Sequence, residues 1–105
     1  MAQFDVFKNT NQATKTLYPY LLEIQTNFLS ELQTTVVIPL TLVSKYSGNM
    51  LKTIHPTFEI LGKQYLSITT LIAGIDRNSL GENISSLTES RDEIISALDF
   101  MITGI

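Results

Sequence analysis

The apolar residues of this chain keep a period of two through most of its length and change to a helical period near its end. A pleated strand sends successive side chains to opposite faces, whereas a helix repeats about every 3.6 residues. In "AQFDVFK", Phe4 and Val6 share one face and Gln3 and Asp5 the other, the pattern of a half-buried strand. "NTNQATK", Asn9 to Lys15, is polar except for Ala13 and reads as a mobile loop. "YPYLLEIQ" alternates again, Tyr20, Leu22 and Ile24 against Leu21, Glu23 and Gln25, with Pro19 at a strand start or edge. "TTVVIPL" is rich in β-branched residues, and Pro39 is expected to end its pairing or mark a bulge. "HPTFEILGKQYLSITT" reads as a hairpin that turns at Gly62-Lys63, with Phe58 and Ile60 on one arm and Leu66 and Ile68 on the other. "LIAGI" can add a short strand.

The period then changes. Leu87, Ile94, Leu98 and Met101 recur at helical spacing, and "SLTE" at Ser86 to Glu89 fits a capping box. Glu89, Asp92 and Glu93 put negative charge near the helix start, where the dipole favours it. Antiparallel strands followed by one C-terminal helix make an α+β plan around a small barrel-like sheet. No repeat or linker divides the chain, so residues 1–105 are expected to form a single domain.

Composition narrows the function. Charged residues are 16% of the chain, against about 25% in typical domains. A small domain with so few charges invites a partner, or a second copy, to cover part of its surface. The net charge of −3 and scattered Lys8, Lys15, Lys45, Lys52, Lys63, Arg77 and Arg91 argue against a direct grip on nucleic acid. There is no cysteine, hence no disulfide or thiolate chemistry. "MAQFDVFK" lacks the charged and apolar regions of a signal peptide, and no apolar run nears the roughly 20 residues that span a bilayer. A soluble, cytoplasmic protein is the expectation, with no membrane partner.

Catalytic patterns are scarce. His55 is the single histidine, and without cysteine or a placed carboxylate it reads as structural rather than as a general base. No serine sits in a G-x-S-x-G elbow, no group of residues has metal-ligand spacing, and the five glycines are isolated. No cofactor and no metal are expected. What remains is surface. "NFLSEL" places Phe28 and Leu29 side by side after a strand, where they would point to opposite faces. "DFMITGI" closes the chain on a helix-like stretch, a glycine and a bare isoleucine, although chain ends are usually polar and frayed. Each has a plain structural reading: a turn covering itself, and a helix ended by Gly104 with Ile105 folded back.

Taken in order, the initial "M-x-QF-x-V", "EIQT", "VVIPL", "HP", "TT" and the terminal "GI" resemble the CcdB family of gyrase-poisoning toxins from type II toxin–antitoxin modules, nearly end to end. "VIPL" with the terminal "GI" is the most specific pair. The resemblance implies a small SH3-like antiparallel β-barrel with an extra small sheet and one C-terminal helix, acting as a homodimer. It implies a protein that is not an enzyme but binds the A subunit of DNA gyrase and traps the cleaved gyrase–DNA complex. The gyrase-facing residues so implied are Phe28, Leu29, Asp99, Ile102, Thr103, Gly104 and Ile105. It also implies a CcdA-like antitoxin whose disordered arm folds on binding, against Asn9, Thr10, Asn11, Gln12 and Lys15, and which supplies the DNA contacts for repression of the shared promoter.

Two departures stand out. Thr103 replaces the family's familiar tryptophan, removing a cation–π attraction of about 1–2 kcal/mol, roughly a ten- to thirtyfold change in affinity. Asp99 stands where an asparagine is usual, which exchanges a donor for an acceptor. Two other readings follow: a relative that binds antitoxin but no longer poisons gyrase, and an endoribonuclease toxin on the same barrel.

Overall fold

The computed structural model describes residues 3–25, 31–48, 51 and 53–104. Among the described residues, seven strands precede one α-helix: β1 (Asp5–Asn9), β2 (Tyr20–Glu23), β3 (Thr34–Leu42), β4 (Thr57–Ile60), β5 (Lys63–Ser67), β6 (Ala73–Asp76), β7 (Leu80–Ser86) and α1 (Arg91–Thr103). All pairings are antiparallel, in the order β4-β5-β3-β2-β1-β7, with β6 also paired to β3. The sheet curls into a half-barrel closed by α1, the α+β plan expected of the sequence.

β3 organises this sheet. One of its edges pairs with β2 through Val37–Leu40. The other pairs first with β6 over Thr34–Val37 and then with β5 over Leu40–Leu42. Pro39 falls at the seam between these two partners. Its carbonyl accepts from the Ile68 amide at 3.0 Å, so its ring nitrogen faces the same seam. The missing N–H is therefore lost where the ladder changes hands. The expected stop or bulge does not occur, and β3 runs straight through Pro39.

Two further expectations are corrected. The β4–β5 hairpin turns at Leu61-Gly62 rather than Gly62-Lys63, because Ile60 pairs with Lys63. Leu61 and Gly62 both have positive φ, 52° and 82°, as a two-residue type I′ turn requires. The segment before the helix is also different. β7 occupies "LGENISS", a polar stretch poor in strand formers, and it is held by pairing with β1 on one edge. Ser86 ends that strand instead of capping a helix. Its Oγ lies 2.8 Å from Thr88 Oγ1, a 3-10 turn covers Thr88–Ser90, and α1 starts at Arg91 with no side-chain cap bond. Asp92 and Glu93 do sit in the first helical turn, as anticipated.

Phe4, Val6, Leu22, Ile38, Leu40, Phe58, Ile60, Tyr65, Leu87 and Ile94 form the core. Even-numbered residues of β1, β2 and β3 thus face the helix. The opposite face is apolar as well: Phe7, Leu21 and Val37 are buried there. The β1–β2 loop covers it. Asn9 Nδ2 donates to Thr14 Oγ1 (3.0 Å) and to the Tyr18 carbonyl (2.8 Å), and the Asn11 amide donates to Asn9 Oδ1 (3.0 Å). Far from being unstructured, the loop is bonded to itself.

Candidate functional site

Helix α1 buries Ile94 and Ala97 against the sheet and turns Asp99 to solvent. One turn further on, Ile102 is 75% exposed, and Thr103 and Gly104 are exposed beside it. Residues three and four apart share a helix face, so Asp99, Ile102 and Thr103 lie together. The helix stops there for a local reason. Gly104 takes φ 75°, the left-handed conformation glycine adopts without penalty, and its amide donates to the Phe100 carbonyl at 2.8 Å. The structural reading of Gly104 as a helix terminator therefore holds. Thr103 Oγ1 donates to the Asp99 carbonyl at 2.7 Å, so its hydroxyl is occupied within the helix. Phe28, Leu29 and Ile105 lie outside the described residues.

The second group of expected contacts sits on the β1–β2 loop. Asn9 is half-buried, whereas Thr10, Asn11, Gln12 and Lys15 are exposed. Thr10 Oγ1 donates to the Ser79 carbonyl at 2.7 Å and Asn11 Oδ1 accepts from the Ala13 amide at 2.9 Å. Asn9, Thr10 and Asn11 border an open cleft of about 460 Å³ on the outer face of the sheet. Leu21, Val37 and Pro39 also line it, together with Leu71, Ala73 and Ile75. The sequence reading missed this cleft. Its trace was the unbroken apolar run "VVIPL", which marks a strand covered on both faces rather than one.

His55 is 6% exposed. Its Nε2 lies 3.2 Å from Thr70 Oγ1, and burial holds its pKa below the ordinary histidine value. The imidazole is thus enclosed beside the Thr70 hydroxyl.

A third feature was not anticipated. Glu23, 3% exposed, ends β2. Its Oε2 accepts from Thr35 Oγ1 at 2.6 Å and from the Arg77 guanidinium at 2.9 Å. An acidic residue inside an apolar strand was the available signal, because a buried carboxylate requires a partner.

A solved structure shares this architecture: an endoribonuclease in complex with its cognate antitoxin from a Mycobacterial species. The TM-score is 0.72 over 97% of this chain and 94% of that one, at 14% identity. At that identity the likeness concerns the fold. The sequence itself matches the CcdB protein family over residues 3–104, essentially the whole described chain, and with the half-barrel and its closing helix in place, this chain belongs to the CcdB family.

Proposed function

We propose that this protein is the toxin of a type II toxin–antitoxin module, and that it acts in the cytoplasm as a homodimer by binding the A subunit of DNA gyrase. The observation that carries this reading is Ile102, an aliphatic side chain left 75% exposed where the helix of a CcdB-family chain runs out. Covering such a side chain contributes about 1.5–3 kcal/mol. The action is binding rather than chemistry: the toxin adds contacts to gyrase in its DNA-cleaved state and so opposes religation. Asp99, Ile102, Thr103, Gly104 and Ile105 supply one part of the contact, and Phe28 and Leu29 the other. With its hydroxyl already bonded, Thr103 offers its methyl in place of an aromatic ring. A CcdA-like antitoxin engages the β1–β2 loop, where exposed Gln12 and Lys15 meet it beside Asn9, Thr10 and Asn11. The antitoxin carries any DNA contact, in keeping with the net charge of −3 on this chain.

The test is gyrase-mediated DNA cleavage with ATP, using the full chain and a variant lacking Thr103-Gly104-Ile105. The full chain is expected to yield linear DNA and the truncation none while remaining folded. A folded full chain that yields no linear DNA overturns gyrase poisoning and leaves the reading of a relative that retains only antitoxin binding. The fold likeness to an endoribonuclease favours a second reading, RNA cleavage. Against it stand the acidic charge and the buried His55. Incubation of purified protein with total RNA separates the two.

A further inference from the structure

We infer that Phe4 is a positioning residue, whose left-handed backbone ties the approach to α1 to the end of β2. This role rests on the proposed gyrase reading only in that α1 carries Asp99, Ile102 and Thr103 at its far end. Phe4 has φ 71°, a conformation that a bulky side chain rarely adopts because its Cβ crowds the following carbonyl. The side chain is buried in the same core cluster as Leu87 and Ile94.

The conformation is explained by two backbone bonds. In an antiparallel ladder, a hydrogen-bonded residue directs its N–H and its C=O to the same neighbour. Phe4 divides them. Its amide donates to the Glu23 carbonyl at 2.7 Å, on the β2 side, and its carbonyl accepts from the Leu87 amide at 2.8 Å, just past β7. β1 lies between β2 and β7, so the bend at Phe4 serves both neighbours at once. Glu23 and Leu87 are buried. An extended residue at position 4 would leave one of them with an unpaired backbone group, at a cost comparable to that of the left-handed bend.

The Leu87 end of the tether leads into the helix. The Leu87 carbonyl accepts from the Ser90 amide at 2.9 Å, the Thr88 carbonyl accepts from the Arg91 amide, and α1 begins there with no side-chain cap bond. The bond from Leu87 to Phe4 is therefore what fastens this approach to the sheet. Gln3 Nε2 adds a second bond from the same N-terminal segment to β2, donating to the Ile24 carbonyl at 3.0 Å. α1 is one rigid element, so a shift at its start is carried to its exposed end.

The experiment follows amide exchange, unfolding and gyrase binding in the full chain. The variants are Phe4→Ala, Phe4→Gly, a chain with the Leu87 amide replaced by an ester, and Ile60→Ala as a core control outside the tether. The ester removes one N–H and keeps every side chain. It is expected to speed exchange of the Ile94–Met101 amides at least tenfold, to leave the β2–β3 ladder within twofold, and to weaken gyrase binding about tenfold. Ile60→Ala is expected to speed both regions alike. At an ordinary strand position glycine is less stable than alanine. At position 4 the order is expected to invert, with an unfolding equilibrium about tenfold smaller for Phe4→Gly than for Phe4→Ala. Alanine equal to or better than glycine overturns the left-handed requirement. Unchanged α1 exchange in the ester chain overturns the tether, as does loss of its whole fold, since the bond would then hold the entire sheet. If α1 loosens as expected but the parent itself does not bind gyrase, the positioning role stands and the gyrase reading falls.

Discussion

At the scale of single residues, the conformations that matter are those a side chain would ordinarily avoid. Leu61 holds φ 52° in the type I′ turn and is 69% exposed, so it bears strain with little burial in return. Leu61→Asn is expected to stabilise the protein by about 1 kcal/mol, read as a higher urea midpoint at constant slope. Gly104 separates two roles. Gly104→Ala should cost about 1 kcal/mol for the left-handed cap alone, and a Cβ there meets nothing within 4 Å. A loss of gyrase-dependent cleavage well beyond that cost would assign the rest to a contact. His55 gives a pH dependence. Burial lowers its pKa in the folded state, so the unfolded chain takes up the proton first. Its contribution is complete above the ordinary histidine value, near 6.5, and is lost as pH falls from there to the lowered value. The melting temperature should therefore drop across that window, and drop less in His55→Asn. The sequence showed that His55 was the single histidine and that Gly104 could end the helix; it could not show that Leu61 carries the turn, because glycine drew attention to its own position.

At the scale of elements, β3 and α1 were legible and β7 was not, for one reason. α1 is buried on one face, so burial wrote a period into it, and β3 is covered on both faces, which left an unbroken apolar run. β7 has no buried residue and is fixed by backbone bonds to β1, which leave no mark on side-chain pattern. The same logic hid the outer cleft, whose lining comes from β2, β3 and β6 together, and hid Glu23–Arg77, whose members stand 54 residues apart. Helix docking depends on Ile94, 1% exposed in the core. Ile94→Ala is expected to cost about 2–5 kcal/mol, measured by chemical denaturation. Tyr65 offers a spectroscopic check on the other side of that core. Burial first, and then neighbouring Tyr20, raise its phenol pKa, so a tyrosine absorbance change lost in Tyr65→Phe should appear above the ordinary phenol range on alkaline titration.

At the scale of the whole molecule, few surface charges and several exposed leucines suit a protein that works in an assembly. Sedimentation is expected to give a particle of twice the 11.7 kDa chain mass, and dilution to shift it towards the monomer. The sheet order also governs when the molecule can come into being. β1 lies between β2 and β7, and Asp5 pairs with Ser86. On a ribosome the N-terminal strand therefore emerges early and must wait, with one edge open, until nearly the whole chain has been made. Topologies rich in such distant pairs form slowly. The nascent chain thus reaches full length before α1 and its tail have a finished sheet to rest on, so a harmful surface built this way would not be displayed by half-made copies. For the toxin proposed above, that delay is an interval in which an antitoxin can arrive.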